Sequence, residues 1–251
     1  MTRISYLELA EALAATVTPG RDLMIHASLR ELGSFCCDVK AIVEALSESV
    51  GPDGTLLMMT DTRSFAKTGR FDMAQPSETG LLTETFRQCE DVSRSVVPMV
   101  SFAAKGPRAD TYLQTYHSHL DPTAPLTRLL DNDGHILLMG VDYVKCTLYH
   151  LAEERRGSST NFYKTFSGKL VDGNRTIAPI SQRYFVRREM SVKKDPTIAG
   201  ELCEARGQVK AVGLGKGRLL SFKARDFDQC CMDILKQDPK AFIVKSNDGN
   251  Q

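Results

Sequence analysis

Apolar residues fall at helical spacing from the start of the chain. Leu7, Leu9, Ala10, Leu13 and Val17 follow Ser5, and Glu8 stands three residues beyond that serine, so residues 5–17 predict a helix opened by a capping box and stopped at Pro19-Gly20. The period then changes. Asp22 to Ala27 reads as a strand, Ser28 to Gly33 as a loop, and residues 39–50 as a second helix with Ile42, Val43, Leu46 and Val50 inward. Gly51-Pro52-Asp53-Gly54 turns the chain into a second buried strand, Thr55 to Met59. This strand, helix, strand succession predicts a parallel or mixed sheet covered by helices.

Further along, Asp61 to Gly80 is polar and aperiodic, as expected of a long loop that binds something. A helix is expected from Leu81 to about Cys89, a strand over Val96 to Ala104, a short helix over residues 125–130, and a strand from His135 to Val141. After Arg156 the chain becomes rich in strands. Phe162 to Leu170 and Arg175 to Pro179 flank the turn Val171-Asp172-Gly173-Asn174, and a second hairpin is expected between Val209–Leu214 and Arg218–Phe222. A helix from Phe227 to Gln237, a short apolar run from Ala241 to Val244 and a polar tail from Ser246 complete the reading.

Composition narrows this picture. A chain of 251 residues, 42% hydrophobic and 25% charged, fits a single globular domain over residues 1–251. No stretch approaches the roughly 18 apolar residues of a membrane span, and an acid interrupts the first ten residues, where a signal peptide would be apolar. A cytoplasmic protein is therefore expected. Its seven cysteines form no CxxC pair and read as reduced packing thiols. A net charge of +1 gives no reason to expect a nucleic-acid partner.

The chemistry concentrates where Ile136-Leu137-Leu138-Met139-Gly140 passes into Thr147-Leu148-Tyr149-His150-Leu151-Ala152-Glu153-Glu154. A buried strand closed by glycine should open at a sheet edge, where α/β proteins place ligands. On the helix that follows, Thr147, His150 and Glu154 stand at i, i+3 and i+7, and Glu153 is three residues from His150. Hydroxyl, imidazole and carboxylate can thus share one side, while Leu148, Leu151 and Ala152 pack. A neighbouring carboxylate would raise the histidine pKa toward neutrality and orient the ring, which suits proton transfer. Three other readings stand beside this one: a surface or capping histidine, a binding protein without turnover, and a metal hydrolase using His117-x-His119 with His150-x-x-Glu153.

Several blocks occur together in one order: His26 to Gly33, Gly51 to Leu56, Phe71-Asp72, Gly80 to Arg87, Arg94-Ser95, Ser101 to Gly106, and Thr147 to Glu153. In that order they resemble the aminoglycoside 3-N-acetyltransferase family over residues 20–156. The resemblance implies a three-layer α/β/α fold with a mixed central sheet and a C-terminal strand-rich part, distinct from the histone-acetyltransferase-like fold. It implies transfer of acetyl from acetyl-CoA to an amine, by default the 3-amino group of a deoxystreptamine aminoglycoside and otherwise a biosynthetic amine. In that reading His150 is the general base, Glu153 orients it, and Thr147 donates to the oxyanion. Ser28, Leu29, Arg30 and Ser101 hold the CoA thioester, Asp72, Glu84 and Glu153 receive the cationic substrate, and no residue binds a metal. The partners expected are these two small molecules, with the protein a monomer or homodimer. Cys146, close to His150 in sequence, leaves a covalent route open.

Three departures from the family pattern touch the acceptor side. Leu120 to Leu126 lacks the usual glycines and serine, Val97-Pro98 replaces a His-Pro pair, and Ser181 to Phe185 lacks aspartates while Arg183, Arg187 and Arg188 add positive charge.

Overall fold

The computed structural model describes residues 3–244; the polar tail expected from Ser246 lies outside the described residues. Its centre is a seven-stranded mixed sheet. The inner strands β1 (Leu23–Ala27), β2 (Leu56–Met59) and β6 (His135–Met139) run parallel, with β1 between the other two. On one side β5 (Phe102–Lys105) and β4 (Ser93–Arg94) continue the sheet antiparallel; on the other, β11 (Gly217–Lys223) pairs with β6 and β10 (Val209–Leu214) pairs with β11.

Alternation along each inner strand feeds two separate cores. Leu23, Ile25, Leu56, Met58, Leu137 and Met139 face one, with helices α1 (Tyr6–Thr16), α3 (Val39–Val50) and α5 (Leu81–Arg87) above them. Met24, Leu57, Ile136 and Leu138 face the other, beneath α7 (Pro125–Asp131), α8 (Tyr149–Arg156), α9 (Thr197–Ala205) and α10 (Ala224–Gln237). Burial on both faces is why these strands read as unbroken apolar runs; a fully buried leucine or isoleucine contributes about 1.5–3 kcal/mol. The helix cap anticipated at Ser5 is present: Ser5 Oγ accepts from Glu8 N and Glu8 Oε2 accepts from Ser5 N at 2.7 Å.

Several expectations need correction. Residues 29–32 form a helical turn, α2 (Leu29–Leu32), rather than loop. The segment Asp61 to Gly80 contains α4 (Phe65–Thr68) and β3 (Arg70–Asp72), and β3 pairs parallel with β7 (Asn161–Asp172). A three-residue strand with one buried side chain, Phe71, leaves no periodic signal in sequence. The strand expected from Val96 begins only at Phe102, because Pro98 lacks an N–H for a ladder and Met99 takes a left-handed φ of 63°. The strand-rich C-terminal part is divided. The long hairpin of β7 and β8 (Arg175–Arg187) builds a separate small sheet with β3, whereas β10 and β11 extend the main sheet. A third pairing, β9 (Lys193–Lys194) with β12 (Ile243–Val244), stands apart from both. A short helix, α6 (Ala109–Tyr112), completes the set of described elements beside one 3-10 turn at Tyr143–Lys145.

Candidate active site

The carboxyl ends of β1, β2 and β6 open on one edge of the sheet, and the residues just past them, Ser28, Asp61 and Val141, line a cleft of about 530 Å³. Gly140 lets β6 leave the sheet there. Its φ is 67°, and a Cβ would stand 2.6 Å from the carbonyl oxygen of Ser28 and 2.8 Å from Leu32 Cγ. Ser28 N in turn donates to Met139 O at 2.9 Å, so the two strand exits are tied together.

Helix α8 brings its first turn to this cleft. Leu148, Leu151 and Ala152 are buried against the core, Arg155 and Arg156 occupy the last turn where the helix dipole favours cations, and Gly157 ends the helix in a left-handed conformation. That packing turns His150 to the cleft wall, with 23% of its side chain exposed. Glu153 Oε2 lies 2.8 Å from His150 Nδ1. Glu153 itself is enclosed, 6% exposed, and its other oxygen accepts from Lys194.

The electrostatics differ from the expectation that a carboxylate raises the histidine pKa. Desolvation dominates and lowers the pKa of His150 below 6.5; the hydrogen bond and charge of Glu153 offset this only in part. Burial works against the Glu153 carboxylate too, but the hydrogen bond from His150 and the charges of His150 and Lys194 hold it below the usual carboxylate range. The pair is therefore a neutral imidazole donating Nδ1–H to a carboxylate, with Nε2 left as the basic nitrogen.

Of the other expected site residues, Thr147 and Ser28 line the cleft, and Ser28 and Arg30 line an adjoining groove of about 790 Å³ together with Lys145, Lys216 and Arg218. Four cations there face two acids, Glu31 and Asp142. Leu29 instead packs against the apolar core on the α3 side. Ser101 is fully buried, bonded to Thr60 and to Arg94 Nε at 3.1 Å, away from both openings. Asp72 accepts from the backbone of Ala74 and Gly173, and Glu84 is paired with Arg87 at 2.6 Å; neither lines the cleft or the groove. Glu153 stands behind His150 and lines neither. Glu154, the other acid of the helix, accepts from the Tyr163 hydroxyl at 3.2 Å.

Sequence reasoning missed Asp61, Arg63 and Glu78 in the cleft lining, whereas Arg187, expected to add positive charge on the acceptor side, lines the cleft as well. Asp61 had a usable signal, since it follows β2 much as Ser28 follows β1. Its side chain is 1% exposed, Oδ2 accepts from Arg63 at 3.0 Å, Oδ1 has no partner, and burial raises its pKa to about 6. Cys146 is buried with its thiol pushed up to about 12, so it is poorly suited to act as a thiolate. His119 stacks on Tyr184 at 4.8 Å while His117 is exposed, and among the described residues no three of His, Cys, Asp and Glu come together as metal ligands.

The model of the aminoglycoside 3-N-acetyltransferase family matches residues 24–236. The chain belongs to that family. Aminoglycoside N(3)-acetyltransferase IV of Salmonella sp is 34% identical over 153 residues, covering 58% of this chain and 56% of the relative, so the match spans little more than half of that protein. Among solved structures, aminoglycoside acetyltransferase AAC(3)-IVa in complex with gentamicin superposes with a TM-score of 0.81 at 24% identity, covering 100% of this chain and 95% of the other. AAC-IIIb with CoASH gives 0.78 at 21% identity, covering 98% and 100%. These superpositions establish the family fold. Among the described residues no helix is long and apolar enough to cross a membrane.

Proposed function

We propose that the protein is an acetyl-CoA-dependent N-acetyltransferase in which His150 is the general base of a direct transfer. The observation that carries this reading is the position of His150, backed by Glu153, on the wall of a cleft that shares Ser28, Val141, Val144 and Lys145 with a basic groove. A CoA thioester has an anionic, phosphate-bearing end and a neutral acyl end. The groove suits the first, through Arg30, Lys145, Lys216 and Arg218, and the cleft suits the second. Relatives of the same family and fold carry names or bound molecules that accord with this chemistry.

In this mechanism the acceptor amine approaches the thioester carbonyl beside His150 Nε2. As the N–C bond forms, the imidazole takes the amine proton, and Glu153 supports the imidazolium that results. The Thr147 hydroxyl, which donates to the weak acceptor Met59 Sδ at 3.5 Å, can turn to donate to the oxyanion instead. Collapse of the tetrahedral centre breaks the C–S bond, and the imidazolium returns its proton to the departing thiolate. The amide and free CoA leave, with no covalent enzyme intermediate.

Aminoglycosides are the default acceptor by family, and Asp61 and Glu78 are the carboxylates that line the cleft. A second reading rests on the cleft charge. Arg63, Lys145 and Arg187 there outnumber Asp61 and Glu78, and Arg63 already neutralises Asp61. Such a lining is better matched to an amine that also carries a carboxylate or phosphate than to a polycation. Thiol release from acetyl-CoA, with mass spectrometry of products, tests both readings across gentamicin, kanamycin, simple polyamines, and amine pairs differing by one anionic group. Turnover of gentamicin or kanamycin in preference supports the first reading. Preference for the anionic member of each pair, lost in Arg187→Ala, supports the second. No turnover of any amine, with acetyl-CoA bound, opposes the transferase reading itself.

A further inference from the structure

Glu153 is held at both oxygens by side chains from different parts of the chain. Oε2 meets His150 Nδ1 on its own helix, and Oε1 accepts from the ammonium of Lys194, 41 residues further on in β9. The same ammonium donates to Asn161 Oδ1 at the start of β7. None of the Lys194 side chain is exposed, and its backbone is pinned opposite Ile243 by the β9–β12 pairing. Lysine is almost never enclosed unless paired, because its desolvation is costly. A carboxylate bound at one oxygen can rotate about its last bond, whereas one gripped at both cannot.

We propose that Lys194 is a positioning residue for acyl transfer: anchored on Asn161, it clamps Glu153 so that His150 is held in one orientation with Nε2 turned to the cleft. This rests on His150 being the base. The charged groups around that ring are Glu153 on α8, Lys194 on β9 and Arg187 on β8; the Tyr149 ring lies against it at 4.0 Å between centroids, and His119 in the loop before α7 is held neutral by burial. Glu153 favours the protonated ring, whereas Lys194 and Arg187 oppose it. Lys194 therefore does two things: it fixes the carboxylate, and its charge adds to the desolvation that already disfavours the protonated ring.

The test is an NMR titration of the His150 imidazole in the full chain, which needs no acceptor. In Lys194→Met the titration midpoint should rise by about one pH unit, because the cation opposing protonation is gone and the stranded carboxylate seeks a partner. An unmoved midpoint in a natively folded Lys194→Met protein overturns the proposal. Should that variant fail to fold, Glu153→Gln/Lys194→Met leaves no stranded charge, and its midpoint must lie above that of Glu153→Gln alone; equality overturns the proposal. With the best acceptor found, Lys194→Met should lower kcat at pH 7 by about tenfold or more and leave the KM for acetyl-CoA unchanged. Thiol release by the unmodified protein is read in parallel and tests the transferase reading separately, since the titration shift does not depend on turnover.

Discussion

Glu153 and His150 stand one helical turn apart on α8 with Oε2 and Nδ1 separated by 2.8 Å, and the ring's pKa is nevertheless lowered. Desolvation outweighs the attraction of the carboxylate, so the helix delivers a base that is already unprotonated at neutral pH.

The first prediction concerns pH. Because the folded-state pKa of His150 lies below 6.5, the ring's own contribution to kcat/KM should be level near pH 7 and fall about tenfold per unit once the pH drops beneath that value. The sign for stability follows from the same inequality. The unfolded chain takes up the proton first, so this residue's contribution is fully present above 6.5 and is lost as pH falls toward the folded-state value. His150→Ala should reduce thiol release by about 10²-fold or more with circular dichroism unchanged. A pH profile and a melting series across pH 5–8 would check both; a rate that does not fall between pH 7 and pH 5 would contradict the assignment.

Gly140 offers a second. Alanine there meets the Ser28 carbonyl oxygen at 2.6 Å in a left-handed conformation that alanine disfavours. Gly140→Ala should cost about 1–3 kcal/mol and raise the KM for acetyl-CoA by displacing Ser28. Urea denaturation alongside initial-rate kinetics would measure the two effects; an unaltered KM would separate Ser28 from donor binding.

A third prediction supplies a control remote from the chemistry. Asp22, 1% exposed, accepts from Arg108 at 2.6 Å, from the Tyr112 hydroxyl at 2.7 Å and from Thr55 N at 3.1 Å. Removing Arg108 strands a buried carboxylate, although Arg108 is itself partly solvated and the other two donors remain. Arg108→Ala should therefore destabilise by about 2 kcal/mol, a shift of roughly 5 °C in Tm, with kcat at low temperature unaffected. Calorimetry and kinetics on the same preparation would decide it.

The inner strands, the capped first helix and the histidine helix were legible in the sequence because each is governed by local periodicity and burial. Gly140 was legible too, since a glycine closing an apolar strand announces a sharp exit. Asp72 and Glu84 were misplaced because a charged residue in a family block carries no mark of the direction it faces; both are spent on hydrogen bonds within the fold, Asp72 to the backbone of Ala74 and Gly173 and Glu84 to Ser77 and Arg87. Lys194 was invisible for the opposite reason. Its neighbours Lys193 and Asp195 make the segment look solvated, and only the packing of β9 against α8 and β7 encloses it. The histidine pKa went the wrong way because sequence gives proximity to a carboxylate but not the degree of desolvation.

The pairing of β9 with β12 is only two residues long and lies outside the seven-stranded sheet. Segments this small open at far less free-energy cost than a central sheet. Mild heat or urea should therefore unfasten Lys194 while the main layers remain intact, so the protein should fall catalytically silent some degrees before it melts.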